Sequence, residues 1–257
     1  MDDTILRVDN LSKVFHPAHG QPVQALKEVS FQIRRGEIFS LVGESGSGKS
    51  TTGRCVIGLE SPSSGTISFS GRQMQIIFQD AVSALSPRLT IGQSVMEPLN
   101  IHRIGSRSSR KKKAFELLRL VRLDESSFYR LPSDYSGGQQ QRACIARALA
   151  LEPDLIIADE PVASLDVSIQ AQIIGLFQKL RQERGTAFLF IAHDLSLVRR
   201  ISNTIGVMRG GVLVEIGPAE QVYRHPAHPY TQSLIRAIPL PDPTLRRRSA
   251  SAPGDPG

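Results

Sequence analysis

One short run constrains this chain more than any other. Gly43, Glu44, Ser45, Gly46, Ser47, Gly48, Lys49 and Ser50 fit the spacing GxxxxGK[ST]. The apolar stretch Ile38 to Val42 leads into it, and a helical pattern runs on from Lys49 to about Leu59. Glycines let a backbone bend tightly enough for successive N–H groups to face inward. A helix start adds the positive end of its dipole. Strand, glycine-built turn and helix together make a cradle for phosphate. Lys49 is placed to reach the β- and γ-phosphates of a nucleotide and Ser50 to ligate Mg²⁺, with Thr51 next on the first helical turn. A nucleoside triphosphate and Mg²⁺ are therefore the expected ligands.

The surrounding pattern is α/β. Asp154 to Glu160, DLIIADE, is a continuous apolar run ending in two acids, the form of a strand buried on both faces. Ala187 to Asp194, AFLFIAHD, repeats it. Ile169, Ile173, Leu176, Phe177 and Leu180 share one helical face between them, so strand, helix and strand make a parallel crossover. Ligands of parallel sheets gather at strand carboxyl ends. That points Asp159 and Glu160 at the phosphate cradle, Asp159 as a Mg²⁺ partner and Glu160 as general base for an attacking water. Residues 81–150 carry little strand signal; Ala114, Leu117, Leu118 and Val121 recur at helical spacing. Gly206 to Gly217 reads as two strands joined at Gly210-Gly211.

Bulk properties narrow the classes further. The 257 residues are 40% apolar, enough for one sizeable core. No apolar run approaches the roughly 20 residues that span a bilayer, and the opening MDDTILRVDN lacks the form of a signal peptide. The net charge of +7 is concentrated in two blocks, Arg107 with Arg110 to Lys113, and Arg246 to Arg248. Charge runs are commonly solvated faces. Aromatics are only 5% with no Trp, which disfavours a base-stacking platform, so no nucleic-acid partner is expected. Cys55 and Cys144 are far apart without CxxC spacing and fit reduced structural thiols.

A second anion-binding helix start lies at Ser136, Gly137, Gly138 and Gln139, within YSGGQQQRACIARAL. Alone, such a run is an ordinary capped helix. Beside a complete cradle that already owns its lysine, a helix start with neither lysine nor metal ligand makes sense as half of a site in another copy.

With these segments assembled, the chain resembles the ABC ATPases from Ile5 to about Pro239. GESGSGKS resembles their Walker A segment, LIIADE their Walker B and YSGGQ their signature. The resemblance implies an α/β fold: a P-loop NTPase (RecA-like) core with an antiparallel β subdomain and an inserted α-helical subdomain. The expected division is core 1–80 and 151–217, helical subdomain 81–150, a C-terminal HPYT segment 218–240 and a disordered tail 241–257. It further implies that Gln79 senses Mg²⁺ and a membrane partner, that Asp166 is the D-loop aspartate, that His193 contacts the γ-phosphate, and that Phe15 stacks on adenine.

IFQDAVSALSPRLTIGQSVMEPL, EPVASLDVSIQAQIIGLFQKL and HPAHPYTQSLIRAIPLP resemble the subfamily that powers dipeptide, oligopeptide and nickel importers. That implies an ATPase at the cytoplasmic face of the inner membrane, partnered by transmembrane permease subunits, a second ATPase subunit and, through the complex, an external solute-binding protein. Two rivals stand beside it: a non-transport ABC ATPase acting on nucleic acid, and a catalytically weak regulatory partner. Three departures from the family pattern are visible. Gly71 to Met74 is a shortened connection, VASLD exchanges Ala163 and Ser164, and no Cys follows Cys144, so no iron–sulfur cluster is carried over.

Overall fold

The computed structural model describes residues 3–17 and 20–237. The end of the HPYT segment, 238–240, and the expected tail, 241–257, lie outside them. Two sheets and a helical lobe share the chain. In the smaller sheet β1 (Thr4–Phe15) lies between β2 (Val23–Arg34) and β4 (Ser64–Phe69), antiparallel to both.

The larger sheet contains β3 (Ile38–Val42), β5 (Met74–Ile77), β6 (Leu155–Asp159), β7 (Ala187–Ala192), β8 (Thr204–Arg209) and β9 (Val212–Pro218). Their order is β5-β6-β7-β3-β8-β9, parallel except where β9 turns back on β8. The Gly210-Gly211 turn makes that reversal, both residues having positive φ.

Every residue of β3, β6 and β7 is buried. Side chains alternate across a strand, and here the alternation divides two cores. Phe39, Leu41, Leu155, Ile157, Leu189 and Ile191 pack with Ile5, Leu6 and Ile33 of the antiparallel sheet. Ile38, Val42, Ile156, Ala158, Phe188 and Phe190 face the helices instead. Continuous apolar runs are what a strand needs when both faces are covered.

Helix α1 (Lys49–Val56) follows β3. It stops short of Leu59: Gly58 takes φ +81° and the Leu59 N–H returns to the Arg54 carbonyl at 2.9 Å. Between β5 and β6 come α2 (Ala81–Ala84), α3 (Ile91–Ile101), α4 (Arg107–Leu120) and α5 (Gly137–Leu149), joined by short 3₁₀ turns. Ile91, Val95, Leu99, Ala114, Leu117, Leu118, Val121 and Phe128 bury against α5 and merge with the helical core. The abbreviated connection before β5 does not dislodge this lobe. The Asp154 carboxylate accepts N–H bonds from Arg72 at 2.7 Å and Gln73 at 3.1 Å, which ties the short turn to the start of β6.

Helix α6 (Val167–Arg184) makes the crossover to β7. Then α7 (Leu195–Ile201) precedes β8, and α8 (Ala219–Arg224) and α9 (Pro229–Arg236) follow β9. Among the described residues, no helix is long and apolar enough to cross a membrane.

Candidate nucleotide site

The loop between β3 and α1 is held from behind by the β8–β9 hairpin. A Cβ at Gly43 would lie 2.2 Å from the Met208 carbonyl oxygen, so only glycine fits. The Gly211 N–H donates to the Ser47 carbonyl at 3.0 Å. Gly48 caps α1 with φ +102° and offers no side-chain acceptor. The first-turn amides, those of Lys49, Ser50 and Thr51, therefore have no intrahelical acceptor and no cap. Glu44, Ser45 and Gly46 are exposed, and the space beside Gly46 is open. Thr51 is half-buried on α1.

Lys49 is 6% exposed and folds across the loop. Its Nζ donates to the carbonyls of Gly43 at 2.8 Å and Glu44 at 2.7 Å, and to Ser47 Oγ at 3.3 Å. Burial holds its ammonium below the ordinary lysine range, opposed by the charges of Glu160, Asp159 and Glu44. Ser50 Oγ donates to Asp159 Oδ1 at 3.0 Å. Burial also raises the Asp159 carboxyl above its usual range, against the pull of that hydrogen bond. Ser50, Gln79 and Asp159 line one cavity of about 360 Å³. Hydroxyl, amide and carboxylate oxygens are a donor set that suits a hard divalent cation.

Glu160 joins two further candidates. Gln79 Nε2 donates to its Oε2 at 3.0 Å, and His193 Nδ1 lies 3.2 Å from its Oε1. Glu160 has φ +46°, a conformation uncommon outside glycine, secured by its N–H bond to the Ile191 carbonyl at 3.0 Å. The structure thus brings Lys49, Ser50, Gln79, Asp159, Glu160 and His193 together at the carboxyl ends of β3, β5, β6 and β7.

Ser136 to Gln139 lie elsewhere. They form a capping box: the Ser136 hydroxyl accepts from the Gln139 N–H at 3.4 Å, and the Ser136 N–H donates to Gln139 Oε1 at 3.0 Å. Ser136 and Gly137 are exposed, and nothing crowds Gly137. Among the described residues, no hydrogen bond joins this helix start to the phosphate loop of the same chain. Its neighbour is the turn before α6, since a Cβ at Gly138 would sit 3.3 Å from the Ser164 carbonyl and from Leu165. Asp166 caps α6 by accepting from the Ile169 N–H at 2.9 Å. Phe15 is half-buried at the end of β1, with Lys13 Nζ 4.7 Å from its ring centre.

Two residues absent from the candidate set touch it. Gln141 is fully buried and donates through Nε2 to the Phe78 carbonyl at 3.0 Å, joining α5 to the residue before Gln79. Helical spacing turns Gln141 about 200° from Gln139, and that was the available signal. Tyr230 accepts the Glu44 N–H through its hydroxyl at 3.2 Å. Within HPAHPYT it reads only as a mark of the subfamily, because its partner is remote in sequence.

Comparison with known proteins bears on the family and the fold. The family described as ABC transporter matches residues 26–163, and that described as oligopeptide/dipeptide transporter, C-terminal region, matches 214–256. The chain is 46% identical to the oligopeptide transport ATP-binding protein OppF of Streptococcus mutans over 98% of its own length and 87% of that protein. It is 45% identical to OppF of Bacillus subtilis, over 100% of this chain and 89% of the other. A solved dimeric structure of the ATP-binding cassette MJ0796 in a post-hydrolysis state, bound to ADP and Pi, superposes with TM-score 0.78 at 31% identity. That match covers 83% of this chain and 98% of the other. The chain is an ATP-binding cassette ATPase of the ABC transporter family, in the group that carries the oligopeptide/dipeptide transporter C-terminal region.

Proposed function

We propose that this chain hydrolyses ATP at a site shared with a second ATP-binding subunit and thereby energises a peptide importer in the membrane. One observation carries the reading. Lys49, Ser50, Asp159, Glu160, Gln79 and His193 converge on one phosphate cradle, while Ser136 and Gly137 are exposed away from it. A second chain docked head to tail supplies the missing helix start, and this chain supplies its own to the partner. The dimeric relative bound to ADP and Pi supports that pairing. The OppF names and the C-terminal region support peptides as cargo.

Each residue then has a role that follows from its surroundings. The Gly43 and Glu44 carbonyls hold the Lys49 ammonium in place. When phosphate enters, its oxygens become competing acceptors for the same buried charge. The first-turn amides of α1 bind the tail from the other side. Ser50 and Asp159, with Gln79, would hold Mg²⁺, which when bound would supply positive charge against the phosphate oxygens. Glu160 orients a water in line with the γ-phosphate and accepts its proton. His193 and Gln79 hold the Glu160 carboxylate at its two oxygens, and the strained φ of Glu160 aims it at the cradle. Phe15 contributes the adenine contact at the rim, and Asp166 sets the turn that meets the partner.

Glu160→Gln tests the assignment. It keeps the shape and one of the two acceptor oxygens but removes the base, so ATP binding persists while turnover falls by about 100-fold or more. Turnover within a few-fold of the unmodified chain removes Glu160 from that role. Purification with the membrane partners, followed by peptide-stimulated ATP turnover, tests the cargo. Stimulation by nickel and not by peptide would transfer the chain to the metal importers.

A further inference from the structure

The C-terminal region has a contact that the hydrolytic mechanism does not use. Helix α9 is fixed to β9 through Glu215, whose carboxylate accepts the Ala227 N–H at 2.8 Å and the His228 N–H at 3.0 Å. Burial opposes the charge on Glu215. The facing Thr231 hydroxyl and these two amides outweigh it and hold the carboxyl below its usual range. His228 then caps α9, its Nδ1 accepting the Tyr230 N–H at 3.1 Å. Tyr230 is 7% exposed, with the Arg209 guanidinium 4.9 Å from its ring centre. So anchored, its hydroxyl meets the Glu44 N–H.

That N–H belongs to the residue whose carbonyl accepts from Lys49 Nζ. The phosphate loop is thus pinned at Gly43 and Ser47 by the hairpin and at Glu44 by α9, which leaves Ser45 and Gly46 free toward solvent. Burial keeps the Tyr230 phenol above the usual range, so at neutral pH it is an uncharged acceptor.

We propose that Tyr230 is a positioning residue for nucleotide: by holding Glu44 it sets the shape of the phosphate loop, and through it the HPYT helix sets the affinity for Mg·ATP. This rests on the phosphate cradle being the nucleotide site. A preformed loop binds phosphate without first ordering itself, and a loosened one must order on binding.

Tyr230→Phe is the test, because it keeps the ring under Arg209 and removes only the hydroxyl. Mg·ATP titration of the full chain, with the slowly hydrolysed analogue AMP-PNP alongside, gives the dissociation constant. Steady-state turnover gives KM and kcat, and thermal unfolding is followed without nucleotide. A lost hydrogen bond of ordinary strength predicts about 3- to 10-fold weaker binding and a matching rise in KM, with kcat at saturation within about twofold. A merely structural tyrosine would lower the melting temperature and the active fraction but leave KM unchanged, and that pattern overturns the proposal. So does a dissociation constant within twofold of the unmodified chain. If the unmodified chain itself binds no Mg·ATP, the nucleotide site and this inference fall together, which separates that failure from a failure of the latch alone.

Discussion

At the residue scale, the site is built from charges placed where water is scarce. Asp159 is 6% exposed, and burial raises its carboxyl. A folded-state pKa above the unfolded value means that the folded chain holds the proton more tightly. The relative stability is full below the unfolded pKa and is lost as pH rises through the folded one. Once the pH exceeds the folded pKa, the ionised Asp159 carboxylate is therefore unfavourable in the nucleotide-free fold. Asp159→Asn is expected to raise the melting temperature of the nucleotide-free protein at pH 7.5. The gap to the unmodified chain should narrow as pH falls toward the raised Asp159 pKa, while Mg²⁺-dependent turnover is lost. Melting curves between pH 5 and 8 check the sign. A variant less stable at pH 7.5 contradicts it.

At the element scale, what was legible depended on whether an element's partner lies nearby in sequence. β3, β6 and β7 announce themselves as continuous apolar runs because both faces are covered, and the phosphate loop carries its reason within eight residues. The three glutamines after Gly138 behave otherwise. Gln139 caps α5, Gln140 donates to the Pro132 and Tyr135 carbonyls, and Gln141 crosses to Phe78. They look alike in sequence, and only the fold tells them apart. Tyr230 was illegible for the same reason, since its acceptor role depends on an amide 186 positions away. Gln141→Leu tests whether the crossing bond matters. The Gln141 Oε1 is buried with no hydrogen-bond partner, so losing it offsets part of the lost Nε2 bond. The melting temperature should change little. Turnover should fall roughly 2- to 10-fold as Gln79 loses its anchored neighbour, and unchanged turnover would detach α5 from the site.

At the scale of the whole molecule, the proposed pairing concerns the exposed surface around the turn before α6. Ser136, Gly137 and Asp166 are exposed, Val167 is 82% exposed, and the signature helix and this turn adjoin at Gly138. A single exposed apolar residue is ordinary by itself, but Val167 lies on the surface that the proposed head-to-tail pairing would cover, beside the exposed helix start. Mixing two disabled copies tests the pairing. Lys49→Ala spoils the cradle and leaves the signature, whereas Gly138→Asp does the reverse by placing a carboxylate where the partner's phosphate belongs. Each alone is expected to be inactive. In a head-to-tail dimer of the two, one site combines both lesions and the other combines both intact halves. With random pairing, about half the dimers are mixed, and each of those has one working site of two. ATP turnover should then return to roughly a quarter of the unmodified value per chain. Activity that stays at the level of the separate variants means that two copies of this chain do not complete one another's sites.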